Sequence, residues 1–263
     1  MKRKPKLGQN FLVDHRARHA IVDALGDIRN RTVIEIGPGR GAITEILAEK
    51  AGRLIALELD RELAPALARR FASKANVQII EIDFLKANFA SIVPTGGGAD
   101  VIGNLPYYIT SDILLKLFHA GAAGLLSRAV LMMQREVAER VSASPGVRNY
   151  GLLSATAQMN ARVENLFTLP PGAFSPPPEV YSTVLRLDFA PRFDELGVDP
   201  GGFDRFLKEI FAQKRKTLEN NLKAAGHTSA DLESRWPVSF PRQVRAESLS
   251  LEAMAELYRA LRN

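Results

Sequence analysis

The sequence lacks cysteine, long apolar runs and a cluster of metal ligands. Without thiols the chain forms neither disulfides nor thiolate metal sites, which fits a reducing compartment and predicts a cytoplasmic protein. No apolar run approaches the roughly 18 residues of a membrane-spanning helix, so we expect no membrane partner. His15 and His19 share one helix face, but no third ligand is evident, and we expect no metal.

The positive charge is concentrated near the N-terminus. Of the net charge of +6, residues 1–18 contribute five charges, since they contain six Lys or Arg and only one acid, Asp14. Residues 214–216 form a second basic cluster. Such clusters attract phosphate backbones, although a solvated tail and a solvated helix face explain them equally well. Charge alone therefore leaves nucleic-acid binding open.

Short β-rich runs alternate with helical segments through the first half of the chain. The predicted strands are 32–36, 53–58, 77–82, 99–103 and 128–133, and the predicted helices are 14–24, 42–50, 61–71, 111–119 and 136–142. This alternation is typical of a parallel sheet covered on both faces, an α/β fold. Right-handed crossovers bring the carboxyl ends of such strands to one edge, where ligands bind.

The pattern changes after residue 151. A helix is predicted over 152–159, and two strands over 161–169 and 181–189 flank a proline-rich segment, so we expect an antiparallel edge. Beyond residue 191 only helices are predicted, at 203–212, 215–225, 229–235 and 248–262. The sequence thus predicts an α/β domain over 1–190 and a small all-α domain over 191–263.

A glycine-rich loop follows the first predicted strand. Gly37, Gly39 and Gly41 permit a tight turn, and the following helix offers backbone N–H donors. Glu58, at the end of the next strand, could accept both ribose hydroxyls, and Asp83 could accept from an adenine amino group. A tight turn beside surface acids is the alternative. The loop also fits a dinucleotide pattern, so the residues alone leave NAD and S-adenosylmethionine open.

A polar tetrapeptide, Asn104-Leu105-Pro106-Tyr107, follows the fourth predicted strand. An adenine amine is a poor nucleophile because its lone pair is delocalised into the ring. Acceptors on its N–H groups, here the side-chain oxygen of Asn104 and the carbonyl of Leu105, favour a pyramidal nitrogen. Pro106 fixes the bend and Tyr107 can stack on the base. An ordinary strand-end turn is the other explanation.

Six segments together resemble the small-subunit ribosomal RNA adenine dimethyltransferase family. They are 9–12, 37–41, 58–60, 104–107, 174–178 and 211–222. The resemblance implies a class I Rossmann-like methyltransferase fold, S-adenosylmethionine as the donor and a helical domain that binds rRNA. It also implies dimethylation of N6 on two adjacent adenines in the 3′-terminal hairpin loop of 16S rRNA, within the 30S subunit or its precursor. We expect a monomer.

By position, the resemblance also implies roles for individual residues. The implied cofactor contacts are Asn10, Leu12, Gly37, Gly39, Glu58, Asp83 and Asn104. Phe174 would stack on the target base opposite Tyr107, and the implied catalytic set is Asn104, Leu105, Pro106, Tyr107 and Phe174. The sequence departs from the family pattern at Tyr108, where Asn is usual, and at 81–83, where Gly-Asp is commoner.

Three other functions are compatible with parts of this pattern. The large-subunit 23S rRNA adenine-N6 methyltransferases have similar catalytic motifs, although segments 174–178 and 211–222 look more like the small-subunit enzyme. A non-catalytic ribosome assembly factor could retain the cofactor fold. An NAD-dependent reductase would need a proton donor set that the sequence does not display.

Overall fold

The computed structural model describes residues 10–93, 98–238 and 240–262. Its strands are β1 Phe11–Leu12, β2 Thr32–Ile36, β3 Arg53–Glu58, β4 Val77–Glu81, β5 Ala99–Asn104, β6 Leu126–Gln134, β7 Ala161–Leu169, β8 Phe174–Ser175 and β9 Ser182–Phe189. Its helices are α1 His15–Asp23, α2 Thr44–Lys50, α3 Leu63–Arg70, α4 Phe89–Ile92, α5 Thr110–Ala122, α6 Arg135–Val141, α7 Leu152–Asn160, α8 Phe193–Leu196, α9 Pro200–Ile210, α10 Leu218–Ala224, α11 Ser229–Arg235 and α12 Leu251–Arg262.

Seven strands form one sheet in the order β4-β3-β2-β5-β6-β9-β7. Strands β2 to β6 pair in parallel wherever they are neighbours, and β9 pairs antiparallel with β6. Most apolar residues of β2, β3, β5, β6 and β9 are buried, as expected for a sheet covered on both faces, whereas the edge strand β4 is partly exposed. The α/β fold and the antiparallel late strand predicted from the sequence are therefore confirmed.

The register of the sheet brings several polar strand ends to one edge. Glu58 pairs with Glu81, and Asn104 pairs with Met132. At the centre of this edge, Gly103 lies against Ile36, and a Cβ on the glycine would lie 2.9 Å from the Ile36 Cβ. Because β2 and β5 approach so closely, the loops that follow them start side by side.

A second, two-stranded sheet pairs β1 with β8, which the sequence did not predict. Leu12 pairs with Phe174, and the N–H of Val13 donates to the carbonyl of Ala173 at 2.8 Å. Leu12 and Phe174 are both buried in the hydrophobic core of this part of the chain. The proline-rich segment 170–178, predicted as a loop, thus contains a short strand that holds the N-terminal segment.

The chain folds as two compact units. One contains residues 1–138 and 162–190, and the other contains 139–161 and 191–263. The sequence predicts a single boundary at 190, which would put residues 139–161 in the first domain. In the structure these residues lie in the second unit. The division into functional domains stays a prediction. The second unit has its own apolar core, which includes Tyr150, Phe203 and Met254. None of the helices in the described ranges is long and apolar enough to cross a membrane.

Candidate active site

A cavity of about 320 Å³ opens at the carboxyl edge of the sheet in the first unit. Ten predicted site residues line it: Asn10, Leu12, Gly37, Gly39, Glu58, Asp83, Asn104, Leu105, Pro106 and Tyr107. These residues come from five separate segments. The parallel strands bring four of the segments together, and β1, paired with β8, carries the fifth, which contains Asn10 and Leu12. The eleventh predicted residue, Phe174, is not part of the lining.

The glycine loop turns sharply at the end of β2. Gly37 and Gly39 have φ angles of +62° and +59°, a region that side chains disfavour. The N–H of Gly37 donates to the carbonyl of Leu57 at 3.0 Å, which ties the loop to β3. A Cβ at Gly37 would meet no protein atom within 4 Å, whereas one at Gly39 would lie 3.0 Å from the Phe11 ring. Gly37 therefore leaves space on the cavity side of the loop.

Glu58 is a buried carboxylate held in a fixed orientation. Only 3% of its surface is exposed, and its two oxygens accept the backbone N–H groups of Gly39 and Asp60, each at 2.9 Å. A carboxylate oxygen can accept more than one hydrogen bond. Glu58 can thus hold the glycine loop and still accept hydroxyl groups from a ligand.

Glu35, within β2, is a buried acid to which the sequence assigned no role. It is 2% exposed, and its Oε2 accepts the hydroxyl of Thr44 at 2.7 Å. Burial is the main cause that raises the pKa of Glu35 to about 8; the Thr44 hydrogen bond lowers this pKa, and the nearby charge of Glu58 raises it. Glu35 is therefore mostly protonated at neutral pH. An acid just before the glycine loop was the available signal.

Asp83 begins the short helical turn over residues 84–86. Its Oδ1 accepts the N–H of Leu85 at 2.9 Å, and the residue lines the cavity. Lys116 of α5 supports this turn from behind, because its Nζ donates to the carbonyls of Leu85 and Ala87 at 2.7 and 2.5 Å. Burial lowers the pKa of Lys116, and the charge of Asp83 opposes that shift. No local pattern in the sequence indicates this contact, which joins segments about 30 residues apart.

Asn104 is oriented by the N-terminal segment. Its Nδ2 donates to the carbonyl of Asn10 at 2.9 Å, so its Oδ1 is the atom left to accept a hydrogen bond. The next residue, Leu105, extends the sheet because its N–H donates to the carbonyl of Met132 at 2.8 Å. The carbonyl of Pro106 accepts the Thr110 hydroxyl at 2.9 Å, which anchors the turn to α5. The tetrapeptide is thus fixed at both ends.

Tyr107 is half-buried at the side of the cavity. Its hydroxyl shares a 2.9 Å hydrogen bond with the Ser182 hydroxyl, and burial raises its pKa. This hydrogen bond restricts the position of the Tyr107 ring, and the residue still lines the cavity. Its neighbour Tyr108 also lines the cavity and is 63% exposed.

Phe174 lies away from the cavity, in the hydrophobic core. It is 3% exposed and packs in the same cluster as Leu12 and Ala173. The cause is the pairing of β8 with β1, which turns the ring inward. Its predicted role in stacking on a base is untested and stays a prediction.

Several other predicted features lie outside the cavity or outside the described residues. Gln9 and the basic residues before it are outside the described ranges. The basic cluster 214–216 is exposed, and the Nζ of Lys214 donates to the carbonyl of Arg148 at 2.8 Å. Among the residues that the structure describes, no group of three or more His, Asp or Glu side chains could hold a metal ion.

The comparisons with known sequences agree over almost the whole chain. The family described as "Ribosomal RNA adenine dimethylase" matches residues 1–261. The chain is 59% identical to "Ribosomal RNA small subunit methyltransferase A" of Acidobacterium capsulatum, over 99% of this chain and 92% of that protein. It is 52% identical to the protein of the same name from Koribacter versatilis, over 99% and 95% of the two chains.

Solved structures show the same fold. A dimethyladenosine transferase from Plasmodium falciparum has a TM-score of 0.77 at 25% identity, and the match covers 94% of this chain and 95% of that one. The 23S rRNA methyltransferase ErmE has a TM-score of 0.71 at 21% identity, over 97% and 100% of the two chains, a likeness that concerns the fold. The chain belongs to the ribosomal RNA adenine dimethylase family, and it is an rRNA methyltransferase that uses S-adenosylmethionine as its methyl donor.

Proposed function

We propose that this protein dimethylates N6 of two adjacent adenines in the 3′-terminal hairpin loop of 16S rRNA. The substrate is the 30S subunit or its precursor, and the protein acts as a monomer in the cytoplasm. The observation that carries the proposal is one cavity lined by the glycine loop, Glu58, Asp83 and the oriented amide of Asn104. The names of the two relatives at 59% and 52% identity support the small subunit as the target.

The residues at the cavity fit S-adenosylmethionine. Glu58 would accept the ribose hydroxyls, Asp83 the adenine amino group, and Gly37 and Gly39 would leave room for the methionine portion. Asn10 and Leu12, which also line the cavity, would contact the cofactor from the N-terminal segment. When bound, the cofactor supplies an electrophilic methyl group on a sulfonium, so the protein needs only to present a nucleophile to it.

Asn104 and Leu105 would make adenine N6 that nucleophile. The Asn104 Oδ1 and the Leu105 carbonyl would accept the two N6–H groups, which draws the lone pair out of the ring and towards the methyl carbon. Pro106 has a φ of −60° and holds the carbonyl of Leu105 at the bend, while Tyr107 offers its ring to the base. Forming the N6–methyl bond would break the bond from sulfur to the methyl group and leave a neutral thioether, and the positively charged N6 would then lose a proton to water. Alignment of the reacting groups supplies most of the catalysis.

Phe174 keeps its proposed place in the catalytic set, but its ring would have to leave the core to reach a base. Phe174→Leu separates stacking from packing, because leucine fills much of the core volume and offers no aromatic face. Stacking predicts that methyl transfer falls by about tenfold or more while S-adenosylmethionine affinity persists. Unchanged methyl transfer in a folded variant would remove Phe174 from the set.

The second unit is proposed to bind rRNA. The exposed basic cluster 214–216 supports this role, since lysine and arginine neutralise phosphates. Neutralising the three side chains should weaken binding to the subunit and reduce its salt dependence, with no change in cofactor affinity. A salt dependence equal to that of the native protein would contradict the proposal.

The proposal is tested by the methylated site. Purified protein is incubated with tritiated S-adenosylmethionine and unmethylated 30S or 50S subunits, and the labelled nucleotides are mapped. We expect label on two adjacent adenines of 16S rRNA and none on 50S subunits. Label on 23S rRNA would assign the large-subunit activity instead. Calorimetry with the cofactor is the control, because a chain that binds no S-adenosylmethionine would be a non-catalytic assembly factor.

A further inference from the structure

Two exposed tyrosines, Tyr108 and Tyr181, adjoin Tyr107 and its hydrogen-bond partner, and the site described above gives neither of them a role. Tyr108 follows it in the same helical turn, lines the cavity and is 63% exposed. Tyr181 precedes Ser182, the residue whose hydroxyl bonds to Tyr107, and is 46% exposed. Large aromatic side chains are mostly buried in folded proteins, so an exposed ring that lines the cavity and a second one next to the hydrogen-bond partner of Tyr107 are informative.

Tyr181 is also fixed in place by Arg135. The N–H of Arg135 donates to the Tyr181 carbonyl at 3.0 Å, and its guanidinium carbon lies 5.3 Å from the centre of the Tyr181 ring. This contact orients the ring without burying it. A pre-oriented aromatic ring loses little conformational entropy when a base stacks on it. An aromatic ring beside an arginine is a common way to hold a single-stranded nucleotide.

We propose that Tyr108 and Tyr181 form a stacking surface for the nucleotide next to the target adenine. The inference rests on the proposed function, in which two adjacent adenines are methylated. The proposed acceptors, the Asn104 Oδ1 and the Leu105 carbonyl, can take one N6 amine at a time, so the neighbouring base lies outside this position while the first reacts. Tyr108, which lines the cavity, and Tyr181, next to the hydrogen-bond partner of Tyr107, offer exposed aromatic rings to that neighbouring base.

The test compares ring removal with hydroxyl removal on two substrates. The variants are Tyr108→Ala with Tyr181→Ala, the matched pair Tyr108→Phe with Tyr181→Phe, and Arg53→Ala at the opposite edge of the sheet. The substrates are unmethylated 30S subunits with both adenines, and 30S subunits in which one of the two is replaced by an abasic nucleotide. The rate of methylation is measured at an adenine that both substrates contain.

We expect the alanine pair to lower kcat/KM on the native substrate by about tenfold to hundredfold, the effect of losing a base stacked on an aromatic ring. The phenylalanine pair should keep most of the activity, and Arg53→Ala should match the native protein. On the abasic substrate the loss from the alanine pair should shrink to less than about threefold, because no neighbouring base remains to stack on the rings. Cofactor affinity should be the same in all variants, which shows that each is folded.

Two results would overturn the inference. One is an alanine pair as active as the native protein, and the other is an equal loss on both substrates, which would mean that the rings do not contact the neighbouring base. If instead the native protein methylates neither substrate, the proposed function itself fails, and that outcome is distinct from the other two.

Discussion

Replacing Glu35 by glutamine removes a buried ionisable group while keeping the shape of its side chain. Glu35 lies within β2, and its Oε2 accepts the hydroxyl of Thr44. A glutamine side-chain oxygen can accept the same bond. Burial raises the pKa of Glu35 from 4.5 to about 8 in the folded protein, and the unfolded chain is expected to titrate near 4.5. Between pH 4.5 and pH 8 the folded protein therefore binds more protons at Glu35 than the unfolded chain does.

The sign of the pH dependence follows from that difference. Between pH 4.5 and 8 the folded protein holds the Glu35 proton and the unfolded chain has released it. The free energy of unfolding therefore falls as the pH rises through this window. With about 1.4 kcal/mol for each unit of pKa difference, the loss approaches on the order of 4 kcal/mol by pH 8. That is a large share of the roughly 5–15 kcal/mol that stabilises a typical protein.

Urea unfolding of the native protein and of Glu35→Gln from pH 5 to pH 8.5 measures this loss. We expect the two proteins to be close in stability at pH 5, and the variant to gain a few kcal/mol relative to the native protein by pH 8. Glu62→Gln, at an exposed position before α3, is the control and should follow the native curve. A difference between Glu35→Gln and the native protein that does not change with pH would refute a protonated Glu35.

Three other substitutions test the cavity. Asn104→Ala should lower methyl transfer from tritiated cofactor by about a hundredfold or more, with rRNA binding intact; a loss below tenfold would contradict its role as an acceptor. Lys116→Met should raise the KM for S-adenosylmethionine by about tenfold with little change in kcat, because the turn that carries Asp83 loses two hydrogen bonds, and Lys116→Arg should do less. An unchanged KM would show that the turn holds without Lys116. Tyr107→Phe loses the bond to Ser182, about 1 kcal/mol in urea unfolding, but keeps the ring and should stay more active than Tyr107→Ala.

Local signals in the sequence were enough to predict most of the first unit. The strand predicted over 53–58 has the bounds of β3, since a buried apolar run there is bordered by turn residues. The helix predicted from Asp14 begins with that residue as its cap, whose side chain accepts the N–H of Ala17 at 2.9 Å. Capping and hydrophobic periodicity involve neighbours a few residues apart, so they can be read from one sequence.

Contacts between distant segments could not be predicted in this way. Strands β1 and β8 are two residues each and about 160 residues apart in the chain, too short for any periodic pattern. Their pairing depends on two buried side chains, Leu12 and Phe174, finding the same core. The sequence predicted a loop at Phe174 because prolines surround it. The amino-acid composition identifies the proline-rich segment, but it does not indicate that part of the segment pairs with β1.

The orientation of Asn104 depends on this same distant contact. The sequence predicted an acceptor at Asn104 from its place after a strand, but an amide side chain can present either oxygen or nitrogen to a ligand. The carbonyl of Asn10, 94 residues away, accepts the Nδ2 and so selects the oxygen for the cavity. Asn10 directly precedes β1, which is held by β8. The small sheet of β1 and β8, which no local signal indicated, thus positions the Asn104 Oδ1 on which the proposed chemistry depends. A change in the packing of this sheet should alter the position of that acceptor more than it alters the cofactor contacts at Glu58.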